Sequence, residues 1–409
     1  MTELLSPAGN FDKLRTSLLY GADAVYLSGF KFGLRSGNDN FDLPDLKRAV
    51  DYAHMLNKRV YVTLNSFMHQ SDMPALLEFI RYLDSISVDA AIISDIGVAA
   101  MVLENSKIKI HVSTQASVVN HQHGRVWKDF GAKRIVVGRE ISLKEAALIK
   151  EKNDIEVEVF CHGAMCMSYS GHCTISNYTA GRDSNRGGCI QSCRHYYDIE
   201  SNDKSDNKTF MSSKDLMGLL KMREIYELGI DSIKIEGRMK SQMYAATSSL
   251  AYSKVLQALK ENQEPDFEKW AAELEKLPHR GYTDGSLETY AAEQSIYIDH
   301  SQDDDLYAQS GYVVDMVNES EALYYSTANV TDFTSEVEFV CPQEGNKSCA
   351  EAICRDMTDQ QVVSMIPNHL YKIQLDGLQV GNVARINRSL YPIVKRKLLA
   401  SPDQAYVNA

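Results

Sequence analysis

No apolar run in this sequence approaches the roughly 18 residues needed to cross a bilayer. The chain opens Met1-Thr2-Glu3-Leu4-Leu5-Ser6-Pro7, without the basic start and apolar stretch of a secretory signal. The expectation is a cytoplasmic protein, in whose reducing compartment the eight cysteines are ligands, nucleophiles or core residues rather than disulfides. No Walker loop, no G-x-G-x-x-G after a strand and no H-E-x-x-H is present, so nucleotide hydrolysis, dinucleotide binding and zincin proteolysis lack their usual marks. Positive charge is also scarce. A formal net charge of -12 argues against a surface that attracts nucleic acid everywhere, because phosphate binding needs local positive potential. More than half of the acidic excess lies beyond residue 300. A polyanion is therefore expected to meet the first part of the chain, or the basic tail segment Lys395-Arg396-Lys397.

What is present is a long alternation. At 409 residues the chain exceeds one ordinary core. From residue 3 to residue 260, short β-branched runs alternate with amphipathic helical stretches, the pattern of βα units. Strands are predicted over 3–6, 24–28, 59–64, 90–94, 109–113, 134–138, 155–161 and 232–236, with helices such as 43–56, 73–86, 143–152 and 213–228 between them. Eight of each fit a closed (β/α)8 TIM-like barrel, spanning 1–262, better than an open sheet. A helical linker is expected over 263–305, and a small β-rich C-terminal domain over 306–409. Barrel enzymes carry their chemistry on the loops after the strands. Those positions read Ser6-Pro7-Ala8-Gly9, Asn65, Asp95, Thr114-Gln115, Arg139-Glu140, His162-Gly163 and Glu236-Gly237-Arg238. Ser6 and Asp95 suit helix caps, whereas Arg139, Glu140, Glu236 and Arg238 suggest a site.

The connection after strand 7, from 162 to 212, is too long for a plain loop. It holds Cys166, Cys173, Cys189 and Cys193, separated by six, fifteen and three residues. Four thiolates satisfy a tetrahedral zinc or the corners of a 4Fe-4S cluster. The absence of paired C-x2-C knuckles favours iron-sulfur, and both metals stay open on spacing alone. Cys161 and His162 adjoin this loop, but neighbours on a strand point to opposite faces and make a poor nucleophile pair. Cys161 is expected in the core and His162 at proton transfer.

Five segments together resemble the collagenase-like peptidase family U-32: Glu3-Leu4-Leu5-Ser6-Pro7-Ala8-Gly9, Gly21-Ala22-Asp23-Ala24-Val25-Tyr26, His162-Gly163-Ala164-Met165-Cys166, Tyr169-Ser170-Gly171-His172-Cys173 and Lys234-Ile235-Glu236-Gly237-Arg238-Met239-Lys240. Arg182-Asp183-Ser184-Asn185-Arg186-Gly187-Gly188-Cys189 and His279-Arg280-Gly281-Tyr282 extend the likeness to the TrhP-type tRNA uridine hydroxylases of that family. The resemblance implies oxygen-independent 5-hydroxylation of the wobble uridine in the tRNA anticodon loop, with prephenate as hydroxyl source. It also implies a 4Fe-4S cluster on Cys166, Cys173, Cys189 and Cys193. Arg35, Arg139 and Arg238 are then candidates for the prephenate carboxylates, and Glu140, His162 and Glu236 for proton transfer. Arg182, Arg186 and Arg194 are candidates for phosphate contacts. The competing readings are proteolysis, as the family name suggests, hydroxylation of ribosomal RNA or a quinone, and a non-enzymatic RNA-binding module.

Overall fold

The computed structural model describes residues 2–34, 40–201, 204–297, 307–343 and 345–387. Arg35, the acidic stretch 303–305 and the basic tail 395–397 lie outside them.

Seven strands lead the chain, β1 (Glu3–Pro7), β2 (Ala24–Leu27), β3 (Arg59–Leu64), β4 (Ala90–Ile93), β5 (Lys109–Val112), β6 (Arg134–Val136) and β7 (Glu156–Ala164). The helices α1 (Phe11–Leu19), α2 (Leu43–Met55), α3 (Met73–Ser85), α4 (Ile96–Asn105), α5 (His121–Asp129) and α6 (Leu143–Asn153) alternate with them. Side-chain caps start several of these helices. Asp42 accepts from Asp45 N, Asp95 from Gly97 N and Val98 N, and Ser142 and Glu145 form a reciprocal capping box. Within the insertion lie α7 (Ile175–Ala180) and the antiparallel pair β8 (Tyr197–Ser201) and β9 (Lys204–Lys208). Then come β10 (Asp215–Met217), α8 (Met222–Glu227), β11 (Ser232–Ile235) and α9 (Gln242–Lys260). Strands β1 to β7 pair in sequence order, and β11 pairs in parallel with both β1 and β7, which closes an eight-stranded parallel barrel. The expected barrel is thus found, strand for strand.

Two departures come from tertiary pairing. Strand β7 continues to Ala164, and the start of the helix expected over 213–228 is instead β10, which pairs antiparallel with that overhang. Leu216 and Met217 are good helix formers, but their partners Gly163 and His162 offer a ladder that local propensity does not foresee. The stretch expected as a helical linker contains α10 (Phe267–Leu274) and β12 (Tyr282–Thr283), and β12 joins the barrel sheet beside β10.

Glu3, Arg134, Glu158 and Lys234 fill the barrel's lower interior, all nearly excluded from solvent. Arg134 reaches Glu3 at 2.6 Å and Glu158 at 3.1 Å, and Lys234 reaches Glu158 at 3.1 Å. Strand β6 is not a neighbour of β1, so the Arg134 to Glu3 bridge crosses the interior. Burial alone would raise the Glu158 pKa, yet Lys234 and Arg134 hold it below the ordinary carboxylate value.

By compactness, the described residues of Met1–Lys240, Ser248–Ala271 and His279–Gln302 form one unit, and those of Ser241–Thr247, Ala272–Pro278 and Asp303–Ala409 a second. The second unit holds β13 (Tyr307–Met316), β14 (Glu321–Ser326), α11 (Phe333–Glu336), β15 (Val337–Cys341), β16 (Gly345–Ser348), β17 (Ile353–Arg355), β18 (His369–Gln374) and β19 (Val383–Asn387). Its strands form one antiparallel half-barrel sheet, ordered β16-β15-β19-β13-β14-β18-β17. Strand β15 begins at Val337, directly after the short helix α11, which Asp332 caps. Cys341, Cys349 and Cys354 are buried in this unit's apolar core among Tyr324, Phe333 and Phe339.

Candidate active site at the barrel mouth

The strand ends meet across the mouth through polar side chains. Asn65 Nδ2 donates to Ser113 Oγ at 3.1 Å, and Ser94 Oγ to the Asn65 carbonyl at 3.1 Å. Strands β3 and β5 are separated by β4, so the Asn65 to Ser113 bond spans the interior. Tyr26, from β2, likewise reaches over β1 to donate to Glu236 Oε2 at 3.2 Å and to the Ile235 carbonyl at 3.1 Å. Burial pushes the Tyr26 phenol well up, and the Glu236 carboxylate adds to this, so it stays a donor. Gly33 rests on this layer, where a Cβ would lie 2.1 Å from Ser28 Oγ and 3.0 Å from Thr63 Oγ1. Sequence reasoning named Asn65 but passed over Tyr26, Ser28, Thr63 and Ser113. Their signal was the inward period-two alternation of each strand.

His162 lies within β7, buried, with Tyr252 Oη 3.4 Å from its Nδ1 and the rings of Tyr252 and Tyr282 each 5.5 Å from its own. His279 stacks on the far ring, 4.1 Å from Tyr282. Burial first, then Lys240 and His279, drive the His162 pKa down to about 3, so the imidazole is neutral at physiological pH. A β-bulge at Cys161 separates the register of Lys234 opposite Phe160 from that of Ile235 opposite His162. Cys161 is fully buried, with its Sγ 3.5 Å from the Lys234 carbonyl. Glu236 N donates to the His162 carbonyl at 2.8 Å, so two of the three proton-transfer candidates share one junction.

Glu140 is engaged by the insertion. Its carboxylate accepts from Ser170 N at 2.8 Å and from Ser170 Oγ at 3.0 Å, fixing the cysteine-rich insertion to the end of β6. Arg139 lies over the Phe160 ring at 3.9 Å and donates to the Ala164 carbonyl at 3.3 Å. Its buried Nε has no acceptor, and a cavity of about 20 Å³ beside it has room for a single water. Arg238 is buried with Nη1 3.3 Å from Asn40 Oδ1, while its carbonyl abuts Gly9, where a Cβ would approach to 2.3 Å.

The seven other expected arginine and thiol positions fall in the insertion. Arg186 forms an ion pair with Asp72 at 2.8 Å and a bond to the Phe67 carbonyl, which ties the insertion to the β3–α3 connection. Arg194 bonds Gln191, and its electrostatic neighbours include Arg280, Asp215, Cys193 and Cys166, so it belongs to the thiol environment. Arg182 is exposed. The four thiols are not joined in disulfides. Burial pushes the Cys193 thiol up, Arg194 opposes this, and Cys166, Cys189 and Cys173 each push it further. Among the described residues no three Cys, His, Asp or Glu side chains stand in metal-holding geometry. The donor set is nevertheless of the right kind, since four sulfur ligands in one segment suit a soft cationic centre, which takes them as thiolates when it binds. Gly187, at φ 86°, and Gly188, whose Cβ would meet the Asp183 carbonyl at 2.7 Å, keep the backbone tight beside Cys189.

Comparison with known proteins places this architecture. The chain is 36% identical over 392 residues to "tRNA hydroxylation protein P1" of Bacillus subtilis, covering 91% of this chain and 92% of that protein. It is 41% identical over 304 residues to "tRNA hydroxylation protein P" of Helicobacter pylori, covering 70% and 71%. Similarity to "23S rRNA 5-hydroxycytidine C2501 synthase" of Escherichia coli is 34% over 294 residues, covering 69% of this chain and 44% of the other. The profile of peptidase family U32 matches residues 9–296, and the chain belongs to that family.

Proposed function

We propose that this protein is an RNA hydroxylase acting on tRNA, installing a 5-hydroxyl group on the wobble uridine of the anticodon loop with prephenate as hydroxyl source. The near full-length similarity to a protein named for tRNA hydroxylation carries this reading. Arg139 and Arg238, which follow β6 and β11 at the mouth, are the arginines available there to a dicarboxylate. Glu236, oriented by Tyr26, is the acceptor placed to take a proton, while neutral His162 orients rather than carries charge. Glu140 positions the insertion through Ser170.

Cys166, Cys173, Cys189 and Cys193 would hold a 4Fe-4S cluster, with structural zinc as the alternative on the same thiols. Such a cluster would supply one-electron chemistry when bound. Proteolysis finds less support: Cys161, the thiol beside His162, is enclosed and its pKa is raised well above the ordinary value by burial.

The test is nucleoside mass spectrometry of tRNA from a host that lacks its own uridine hydroxylation, complemented with wild type or with Cys189→Ala. Wild type should restore 5-hydroxyuridine derivatives and the variant should not. Wild-type complementation without any such nucleoside would refute the reading.

A further inference from the structure

The segment 29–34, which follows β2, lies on the mouth in a strained form. Phe32 has φ +71°, in the left-handed region that a bulky residue rarely adopts. Gly33, next to it, presses on Ser28 Oγ and Thr63 Oγ1 with no room for a Cβ. Two polar atoms at this end of β3, Thr63 Oγ1 and Asn65 Oδ1, are buried without a hydrogen-bond partner among the described residues. Packing alone does not ask for a hydroxyl at 63, because valine fills the same shape without an unpartnered group. Backbone strain and unpartnered polar atoms at one place mark a site held ready for something else. The attachments of the segment are also light. The Phe32 carbonyl accepts from Ser66 N at 3.2 Å, and the Phe32 ring lies 5.7 Å from that of Phe79 on α3. Phe30, 55% exposed, and Lys31 face solvent. The root is fixed, since Phe41 N donates to the Ser28 carbonyl at 3.0 Å. Lifting the segment from that root would relieve Phe32 and open Thr63 to a ligand. The chemistry of that ligand follows from Asn65. Its Nδ2 is spent on Ser113 Oγ, so Oδ1 only accepts, and a carboxylate, which has acceptors alone, cannot pair with it. The matching group is a neutral donor.

We propose that segment 29–34 is a lid closed over the barrel mouth, and that Thr63 and Asn65 beneath it bind a hydroxyl or imide N–H of the ligand when the lid lifts. The proposal rests on the functional reading above, in which the ring hydroxyl of prephenate and the N3–H of uracil are the two sources of such a donor. It adds the gate and the residues that receive that donor.

The experiment uses the full-length, metal-loaded protein and three variants. Gly33→Ala cannot seat against Ser28 and should hold the lid up. Its Ser66 amide, whose acceptor is the Phe32 carbonyl, should then exchange roughly tenfold faster or more, while Val60 and Val62 in β3 keep their protection. Thr63→Val removes an unpartnered hydroxyl and should leave the melting temperature unchanged or raise it, whereas loss of a structural hydrogen bond would lower it. Thr63→Val and Asn65→Ala should each weaken ligand binding roughly tenfold in calorimetric titration. The probes are prephenate and an anticodon stem-loop RNA with uridine or 3-methyluridine at the wobble position. Loss confined to prephenate assigns the hydroxyl. Loss confined to the uridine loop, matched in wild type by 3-methyluridine, assigns the imide. Unchanged Ser66 exchange in Gly33→Ala, a melting temperature lowered by Thr63→Val, or unchanged affinity for both probes in both floor variants would each overturn the proposal. Wild type that binds neither probe would sink the functional reading together with the donor assignment, and the Ser66 exchange decides the lid in either case. Binding lost in Thr63→Val without any modified nucleoside from wild type would sink the hydroxylase reading alone.

Discussion

Gly171→Ala should loosen the cysteine-rich insertion while leaving the barrel intact. Gly171 has φ +80°, and a Cβ there would lie 2.1 Å from the Gln115 carbonyl oxygen and 2.8 Å from its carbon, whereas ordinary contact begins near 3.4 Å. The obstacle is backbone, in the 3-10 turn Thr114–Ala116 that follows β5, so it cannot swing aside as a long side chain would. More than an ångström of separation is needed, and the bonds that seat the neighbouring Ser170 on Glu140 lie in its path. The left-handed conformation costs about 1–2 kcal/mol for a residue with a Cβ. Hydrogen bonds to a charged group contribute about 1.5–3 kcal/mol each, reduced here because Glu140 is partly solvated. A local loss of about 3 kcal/mol follows, which is roughly a hundredfold in the opening equilibrium. Native-state hydrogen exchange reads this directly: amides near Ser170 and His172 should exchange roughly a hundredfold faster, while those of β1 to β6 keep their protection. Gly181→Ala is the control, since its φ is also positive, at +62°, but nothing lies within 4 Å of a Cβ there. Equal acceleration in both variants would show that the close approach at Gln115 contributes nothing.

Three further predictions concern buried or paired charge. Glu158→Gln leaves Arg134 and Lys234 facing each other in the barrel interior, and should lower stability by about 3–5 kcal/mol in chemical denaturation. The His162 imidazole binds a proton below pH 6.5 when unfolded but only near pH 3 when folded. Stability should therefore fall as pH drops through that window, by at most about 1.4 kcal/mol per pH unit, and His162→Gln should remove this component from the denaturation-versus-pH curve. Asp72 is held below its usual carboxyl value chiefly by its hydrogen bond from Arg186. That pair contributes above the unfolded pKa near 3.8 and is lost as pH falls through the lower folded value. Both partners are about a quarter exposed, so Asp72→Asn should cost less than about 1 kcal/mol at pH 7 yet still raise exchange in the insertion.

All eight barrel strands were legible in the sequence because parallel strands, covered on both faces, are written as short β-branched runs. What the sequence hid was decided by distant partners. Three residues at β10 carry no period of their own, and only the overhang of β7 makes them a strand. Glu140 stands at a strand end like a catalytic acid, but its partner Ser170 is thirty residues on, inside an irregular loop. Arg186 and Asp72 are farther apart still along the chain. Lys234 pairs with Glu158 on the neighbouring strand β7, a partner far away along the chain. Charged residues inside apolar strand runs, at Glu3, Arg134, Glu158 and Lys234, were the available sign of an ionic barrel interior.

The insertion leaves the barrel at Ala164 and returns at Asp215, and these two residues face each other on adjacent antiparallel strands. Entry and exit are therefore pinned one strand spacing apart, about 5 Å, whatever lies between them. Closing a longer or shorter excursion between fixed posts alters the chain entropy by only about 0.6 kcal/mol per doubling of length. The fifty residues in between are in this sense a cassette. Their length and chemistry can be exchanged among relatives, or by an experimenter building chimaeras, without renegotiating the sheet that carries them.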